Sequence, residues 1–339
     1  MKLSHSFIPL LISFFLLSTC TKTKKSTHNP PNIVFIMADD LGWSDVGFNG
    51  APYETPNIDK IAAEGMICTR FYPSAANCAP SRASMLTGMY TPRHKVYVPQ
   101  GLSRGGKISN MRFKTPTWNA DSSFFNTFEV SINHVDPSIV SLAELLNQAG
   151  YVTARFGKWH IGGNNQGFDV NSAAGEIGIT TNRTVEHQVT TNIKIQGGKE
   201  ERFYDDTMVA ERMTNAAIDF ITQNKSKPFF LYLSHWEVHT PMAACKDRIA
   251  YFSKKFSEQN ITGLDPTYAA EIEQIDISTG TIIRALENHN ISDNTIVIFT
   301  SDNGGVSNLT SNKPLRAGKG TFYEGGIRTP FCIKKQKKC

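Results

Sequence analysis

The chain has 339 residues, 40% of them hydrophobic and 19% charged, an ordinary globular composition long enough for one large domain or one large and one small. Its net charge of +5 is mild and sits partly at the two ends, in Lys22, Lys24 and Lys25 and in Lys334, Lys335, Lys337 and Lys338. Nothing in this distribution argues for nucleic-acid binding, while a basic pocket for an acidic substrate stays open.

Met1 to Cys20 reads as an export signal, with Lys2 as the positive start and Phe7 to Leu17 as an apolar core too short for a comfortable bilayer span. The mature chain is therefore expected outside the cytoplasm: periplasmic or outer-membrane if bacterial, otherwise secreted. Leu17-Ser18-Thr19-Cys20 resembles a bacterial lipoprotein cleavage box with Cys20 as the lipid-bearing residue. Thr19 departs from the small residue usual at that place, and ordinary signal cleavage is the alternative. Residues 21–31 read as a polar tether. With Cys20 and Cys78 set aside, Cys68, Cys245, Cys332 and Cys339 match no zinc spacing, and their pairing is not readable.

Asn32 to Met37 is a continuous apolar, β-rich run, as expected of a strand covered on both faces of a parallel sheet. It ends in Ala38-Asp39-Asp40-Leu41-Gly42. Adjacent acids past a buried strand are costly unless paired. They read either as a solvated loop or as a hard-cation site for Ca²⁺ or Mg²⁺. Thr55 to Gly65 carries helix punctuation, with Thr55 as cap, Pro56 first and Gly65 as stop. Met66 to Tyr72 is expected as the next strand, completing a βαβ unit.

Asn77 to Gly88 puts Cys78, Pro80, Ser81 and Arg82 at the start of an apolar helix. Pro80 suits a first helical turn. A thiol there sits where free N–H groups and the dipole favour an anion, beside a planar cation. A buried cysteine before an ordinary helix is the alternative.

Gly101 to Val135 reads as a long insertion over a site. Ser141 to Glu144 is a capping box, with Gly150 as the stop. Tyr151 to Phe156 is a short strand that delivers Gly157-Lys158-Trp159-His160-Ile161-Gly162. Gly163 to Lys199 is loop-like, with Thr/Ile alternation suited to a hairpin. Asp205 to Asn224 reads as an amphipathic helix. Pro228 to Leu233 is a buried strand ending in Ser234-His235-Trp236-Glu237-Val238-His239-Thr240-Pro241. Asp265-Pro266 opens a long helix towards His289. Thr295 to Thr300 is the last clear strand, followed by Ser301-Asp302-Asn303-Gly304-Gly305. Four strand-like runs thus each end in a polar cluster. In an open parallel sheet those ends share one edge, where ligands bind. The predicted fold is α/β, a mostly parallel central sheet with helices on both faces.

Cys78-Ala79-Pro80-Ser81-Arg82, closing in Leu86-Thr87-Gly88, resembles the C-x-P-S-R signature of the type I sulfatases, formylglycine-dependent arylsulfatase-like enzymes of the alkaline-phosphatase-like superfamily. Asn32 to Gly42, Thr55 to Asp59, Gly157 to Gly162, Ser301 to Gly304, Gly318-Lys319-Gly320 and Tyr323 to Arg328 follow in family order, so the resemblance covers most of the mature chain. It implies an alkaline-phosphatase-like fold and hydrolysis of sulfate esters on a sulfated carbohydrate or aryl sulfate. It implies a formylglycine made from Cys78 by a formylglycine-generating enzyme, with its hydrated aldehyde as nucleophile. It implies one Ca²⁺ held by Asp39, Asp40, Asp302 and Asn303 next to residue 78. It also assigns Arg82 and Lys158 to the nucleophile and the metal-side charge, Lys158 and Lys319 to the sulfate oxygens, His160 to proton uptake and His239 to protonation of the leaving alcohol. His235 is a candidate for the substrate pocket.

On this reading residues 32–330 are the catalytic domain. Phe331 to Cys339 departs from the family, which continues into another core strand and a small C-terminal sheet domain. The segment reads as a basic tail without strand or helix pattern, like a frameshift or truncation. The alternatives are a phosphonate or phosphodiester hydrolase of the same fold, or a non-catalytic fragment.

Overall fold

A computed structural model describes residues 30–97, 99, 134–162, 166–171, 188–196, 199–240 and 242–334, with residues 188–208 described by strand path alone. In chain order the elements are β1 (Asn32–Ala38), α1 (Pro56–Ala63), β2 (Met66–Ile67), α2 (Cys78–Thr87), α3 (Thr91–His94), α4 (Leu142–Gln148), β3 (Val152–Gly157), β4 (Val170–Asn171), β5 (Gln188–Gln196), β6 (Lys199–Met208), α5 (Val209–Asn224), β7 (Phe229–Ser234), α6 (Lys246–Glu258), α7 (Pro266–Asn288), β8 (Thr295–Ser301), α8 (Glu324–Ile327) and β9 (Phe331–Lys334).

The four continuous apolar runs are β1, β3, β7 and β8. They form the parallel centre of a seven-stranded sheet of order β2-β9-β8-β1-β7-β3-β4. Their lack of polar alternation has a direct cause, because both sheet faces are covered. On one face Val34, Ile36, Leu231, Leu233, Val297 and Phe299 pack against α1, α5 and α7 through Ile58, Ile61, Met213, Ile221, Ile275 and Ile282. On the other, Met37, Phe230 and Tyr232 pack against α2 and α4 through Ala79, Ala83, Leu86 and Ala143. Successive residues of β1 and β7 therefore serve opposite cores. The helix α7 opens as expected, with the Asp265 carboxylate accepting from Thr267 N at 2.7 Å and Tyr268 N at 3.3 Å. The Ser141–Glu144 capping box is present in full.

The register decides what the sheet can do. Ala38 lies beside Ser301, and Met37 and Gly157 both lie beside Ser234. All four parallel strands end level, so the polar residues that follow them emerge on one edge.

Several expectations are corrected. The Met66–Tyr72 strand shrinks to Met66–Ile67, an exposed edge piece antiparallel to β9, so no parallel βαβ unit joins it to β1. The tail from Phe331 is not structureless over its first four residues. Phe331–Lys334 forms β9 between β8 and β2, with Cys332 fully buried and its thiol pushed up to about 12 by desolvation and by the charge of Asp59. Alternation is hard to see in four residues followed by lysines, and only the adjoining edge of β8 makes them a strand. Gly65 is not a left-handed stop. A Cβ there would come within 2.1 Å of Ile333 O, so glycine is needed to let β9 pass. Thr55 does not cap α1 with its side chain. The helix of α5 begins at Val209, because residues 205–208 belong to β6.

A hairpin forms, as the antiparallel β5–β6 pair, but only β5 lies in the expected stretch, since β6 runs on from Lys199 to Met208; α6 was not foreseen. Most of the predicted insertion, residues 101–133, lies outside the described residues. Among the described residues Cys68, Cys78, Cys245 and Cys332 are free thiols, and no helix is long and apolar enough to cross a membrane.

Candidate active site

The level strand ends bring the predicted residues together. Asp39 and Asp40 follow β1, Lys158 and His160 follow β3, His235 to His239 follow β7, and Asp302 and Asn303 follow β8. Cys78 opens α2 from the facing layer, and Lys319 arrives on the loop before α8. That loop is tied down by Lys319 N donating to Gly305 O (2.9 Å) and Gly320 N to Ala76 O (2.8 Å), two residues before Cys78.

Three cations meet three carboxylates here. Arg82, with no exposed surface, donates Nε to Asp302 Oδ2 at 2.8 Å, and its Nη2 lies 2.7 Å from the same oxygen. Arg82 Nη1 also donates to Lys158 O at 3.1 Å and to Ser234 Oγ, joining the ends of β8, β3 and β7. Lys158 Nζ pairs with Asp39 Oδ2, and Lys319 Nζ with Asp40 Oδ2 at 2.6 Å. Asn303 Nδ2 donates to Asp40 Oδ1 at 2.8 Å. Burial pushes the Asp39 carboxyl up, but Lys158, His239 and Arg82 outweigh it and hold the group below the ordinary carboxylate range. Burial raises Asp302 in spite of Arg82. Burial also raises the Cys78 thiol, which Lys158 and Lys319 only partly oppose, so the thiol is not activated as it stands.

The residues fit a hard cation. Asp39 Oδ1 and Asn303 Oδ1 are buried oxygens with no hydrogen-bond partner. Oxygen atoms of Asp39 and Asp302 and Cys78 Sγ lie within 4.8 Å of one another, as do ligand atoms of Asp39, Asp40 and His239. Buried acceptors are ordinarily satisfied, and an oxygen-rich cradle with orphaned acceptors suits Ca²⁺.

The backbone is held in rare conformations at this edge. Asp40 (φ 68°) and His160 (φ 63°) are left-handed non-glycine residues, a strain that clusters at functional sites. Gly157 (φ +92°) is required where β3 ends, because a Cβ would lie 2.0 Å from Ser234 O. His160 is held well below its ordinary value by burial and then by the charges of Lys158 and Arg82, so its imidazole is neutral. His239 is also lowered, by burial and Lys158 against Asp39 and Asp40. Its Nδ1 donates to Thr240 O at 2.6 Å, leaving Nε2 3.7 Å from Asp40 Oδ2.

His235 does not line the pocket. It is fully buried behind the site, against Glu237 and Ser278. Ser234, which receives Arg82, and Asp45 were not foreseen. Asp45 accepts from Gly42 N (3.0 Å), Tyr268 Oη (2.7 Å) and Thr310 Oγ1 (2.7 Å), pinning the loop after Asp40. The only signal for Asp45 was a third acid within seven residues of Asp39.

An open α/β sheet whose strand ends gather buried carboxylates beside a buried helix-start thiol, ringed by Arg82, Lys158 and Lys319, defines the class of site at hand. The sequence profile of the family described as Sulfatase matches residues 31–338. The chain belongs to the sulfatase family, and its fold is the alkaline-phosphatase-like α/β fold of that family. It is 34% identical over 323 residues to the N-acetylgalactosamine-6-sulfatase of Mus musculus, covering 89% of this chain and 56% of the relative. It is 33% identical over 386 aligned positions to a protein named Sulfatase from Formosa agariphila, covering 96% and 66%. The solved structure of Ps i-CgsB in complex with k-i-k-neocarrahexaose superposes with a TM-score of 0.67 at 31% identity, covering 91% and 66%. The chain therefore spans 56% of the length of the first of these curated relatives and 66% of the second.

Proposed function

We propose that this chain hydrolyses sulfate esters of a sulfated sugar or polysaccharide, with a formylglycine made from Cys78 and one Ca²⁺ as its working groups. The observation that carries the reading is the cluster of Asp39, Asp302 and the Cys78 thiol within ligand distance, at an edge where Asp39 Oδ1 and Asn303 Oδ1 are buried without hydrogen-bond partners. The named sugar sulfatases among the relatives support a carbohydrate leaving group.

Asp39, Asp40, Asp302, Asn303 and residue 78 would hold the cation. Bound there, the cation would neutralise the sulfate oxygens, and an aldehyde hydrate at position 78 would supply the attacking hydroxyl. The charges of Arg82, Lys158 and Lys319 formally balance those of Asp39, Asp40 and Asp302. A divalent ion therefore leaves the site positive, ready for an anionic ester. Lys158 and Lys319 each spend one N–H direction on a carboxylate and have others for sulfate oxygens. Arg82, fully buried, holds the strand ends together and does not reach the substrate.

His239, anchored through Nδ1, presents Nε2 as the proton donor to the leaving alcohol, and an arriving sulfate favours its charged form. His160, neutral and without a hydrogen-bond partner on either ring nitrogen, is placed to take up a proton. Export through residues 1–20 and a lipid on Cys20 belong to the same proposal.

The test is co-expression with a formylglycine-generating enzyme, aldehyde labelling and mass of the Cys78 peptide, and sulfate release from a 6-sulfated N-acetylgalactosamine. Aldehyde at position 78 and sulfate release lost in Cys78→Ala are expected. Undiminished sulfate release by Cys78→Ala would overturn the mechanism.

A further inference from the structure

Behind the strand ends runs a second buried polar chain, outside the cation cradle. Thr214 on α5, Ser278 on α7, His235 and Glu237 are each no more than 4% exposed. Thr214 Oγ1 lies 2.6 Å from Ala210 O and 2.5 Å from Ser278 Oγ, and Ser278 Oγ lies 3.2 Å from His235 Nε2. A carbonyl cannot donate, so Thr214 spends its proton on Ala210. Ser278 must then donate to Thr214, and His235 Nε2 must donate to Ser278. The hydroxyl pair thus sets the proton on Nε2.

The opposite nitrogen, Nδ1, faces Glu237 Oε2 at 3.3 Å; a carboxylate oxygen only accepts, so this bond forms when Nδ1 carries a proton as well, and the same oxygen accepts Trp236 N at 3.1 Å. The Trp236 peptide is thereby held at both ends, because its carbonyl accepts His239 N at 2.9 Å. The same segment grips the end of β1 at Met37 and Asp39. His235 N donates to Met37 O (2.8 Å), Asp39 N to Glu237 O (2.9 Å) and Val238 N to Asp39 O (2.9 Å). Both main-chain polar groups of Asp39 are therefore bonded to the two residues next before His239.

We propose that His235 and Glu237 are positioning residues, which lock the turn carrying His239 and the main chain of Asp39 to helices α5 and α7. The proposal rests on the sulfatase reading for its kinetic arm only. Neither side chain touches the substrate. Their effect passes through where His239 Nε2 and the Asp39 carboxylate sit, in the way outer hydrogen bonds orient ligands and catalytic groups.

His235→Gln places an amide N–H where Nε2 was and abandons Glu237. His235→Asn keeps an amide near Nδ1 and abandons Ser278. Glu237→Gln keeps an acceptor for Trp236 N without the charge. The experiment compares these three with wild type and His239→Ala on a 6-sulfated N-acetylgalactosamine and on 4-nitrophenyl sulfate. Thermal midpoints and calorimetric Ca²⁺ binding are measured on the same preparations.

Each variant is expected to lose roughly ten- to hundredfold in kcat on the sugar sulfate with KM nearly unchanged, and clearly less on the aryl ester, whose leaving group needs no proton. The pattern should be that of His239→Ala at smaller amplitude. Ca²⁺ affinity should fall roughly tenfold or more in the same variants. Equal losses on both substrates, tracking the thermal midpoint, would be a plain stability effect and overturn the proposal. If wild type releases sulfate from neither substrate, the sulfatase reading fails, and Ca²⁺ affinity alone decides. Unchanged affinity in all three variants then overturns the positioning role.

Discussion

Asp39 and Asp276 are both buried carboxylates, and their surroundings differ in kind. Asp276, on α7, accepts Asn57 N at 2.9 Å, Ile58 N at 2.9 Å and Asn57 Nδ2 at 2.7 Å. It supplies from 218 or more residues away the cap that Thr55 does not give α1. Every oxygen there has a neutral donor, and nothing more is needed. Asp39 instead meets two cations and keeps one oxygen without a hydrogen bond, and Asn303 Oδ1, after the neighbouring strand β8, is in the same state. A carboxylate that only holds the fold is closed by N–H groups. One that is to hold an ion is surrounded by charge and left short of donors.

The largest expected effect breaks the open region. Asp302→Ala strands buried Arg82, and removing one partner of a buried pair is worth about 3–5 kcal/mol of stability. On the proposed function it also removes a ligand of the cation. Wild type should show a chelator-dependent drop in melting temperature, by mass action on the folded state, and Asp302→Ala should show none. An equal response to chelator in both proteins would detach Asp302 from the cation.

Asp276→Ala tests the closed region. Losing charge-assisted bonds to the first turn of α1 should lower stability by about 2 kcal/mol. The chelator response and the activity per folded molecule should stay at the wild-type level. A changed Ca²⁺ affinity in this variant would mean the two regions are not separable.

The smallest effect concerns a group that belongs to neither. His94 accepts Val96 N at Nδ1 (3.1 Å) and so donates from Nε2 to Ser84 Oγ (2.8 Å), securing the helix that begins with Cys78. Burial lowers its pKa in the folded state. Its contribution is therefore complete above the ordinary histidine range and is lost as pH falls through the lowered folded value. Between pH 7.5 and 5 the thermal midpoint of His94→Asn, which keeps an acceptor for Val96 but cannot titrate, should fall less than that of wild type. Parallel curves would show that His94 does not titrate on unfolding.

Much of this was legible in the chain itself. The four doubly buried strands announced themselves because a strand covered on both faces must be apolar at every position. The acids, lysine, histidines and amide that follow them stood out as polarity placed where burial makes it costly. Cys78 and Arg82 were marked by the signature around them. Local sequence could not decide which polar residues would be satisfied. His235 and His239 lie four residues apart on one turn, yet one is buried against Ser278 and the other faces the cleft, because α7 packs behind only the first. Thr55 looked like the cap of α1 until a helix distant in sequence brought Asp276 closer to the free N–H groups. Phe331 to Lys334 carried no pattern long enough to read, and became a strand because β8 had an edge to fill. Periodicity and residue chemistry determine which segments are buried and which residues can react. Which donor meets which acceptor is settled by packing between elements hundreds of residues apart, and no local pattern encodes that.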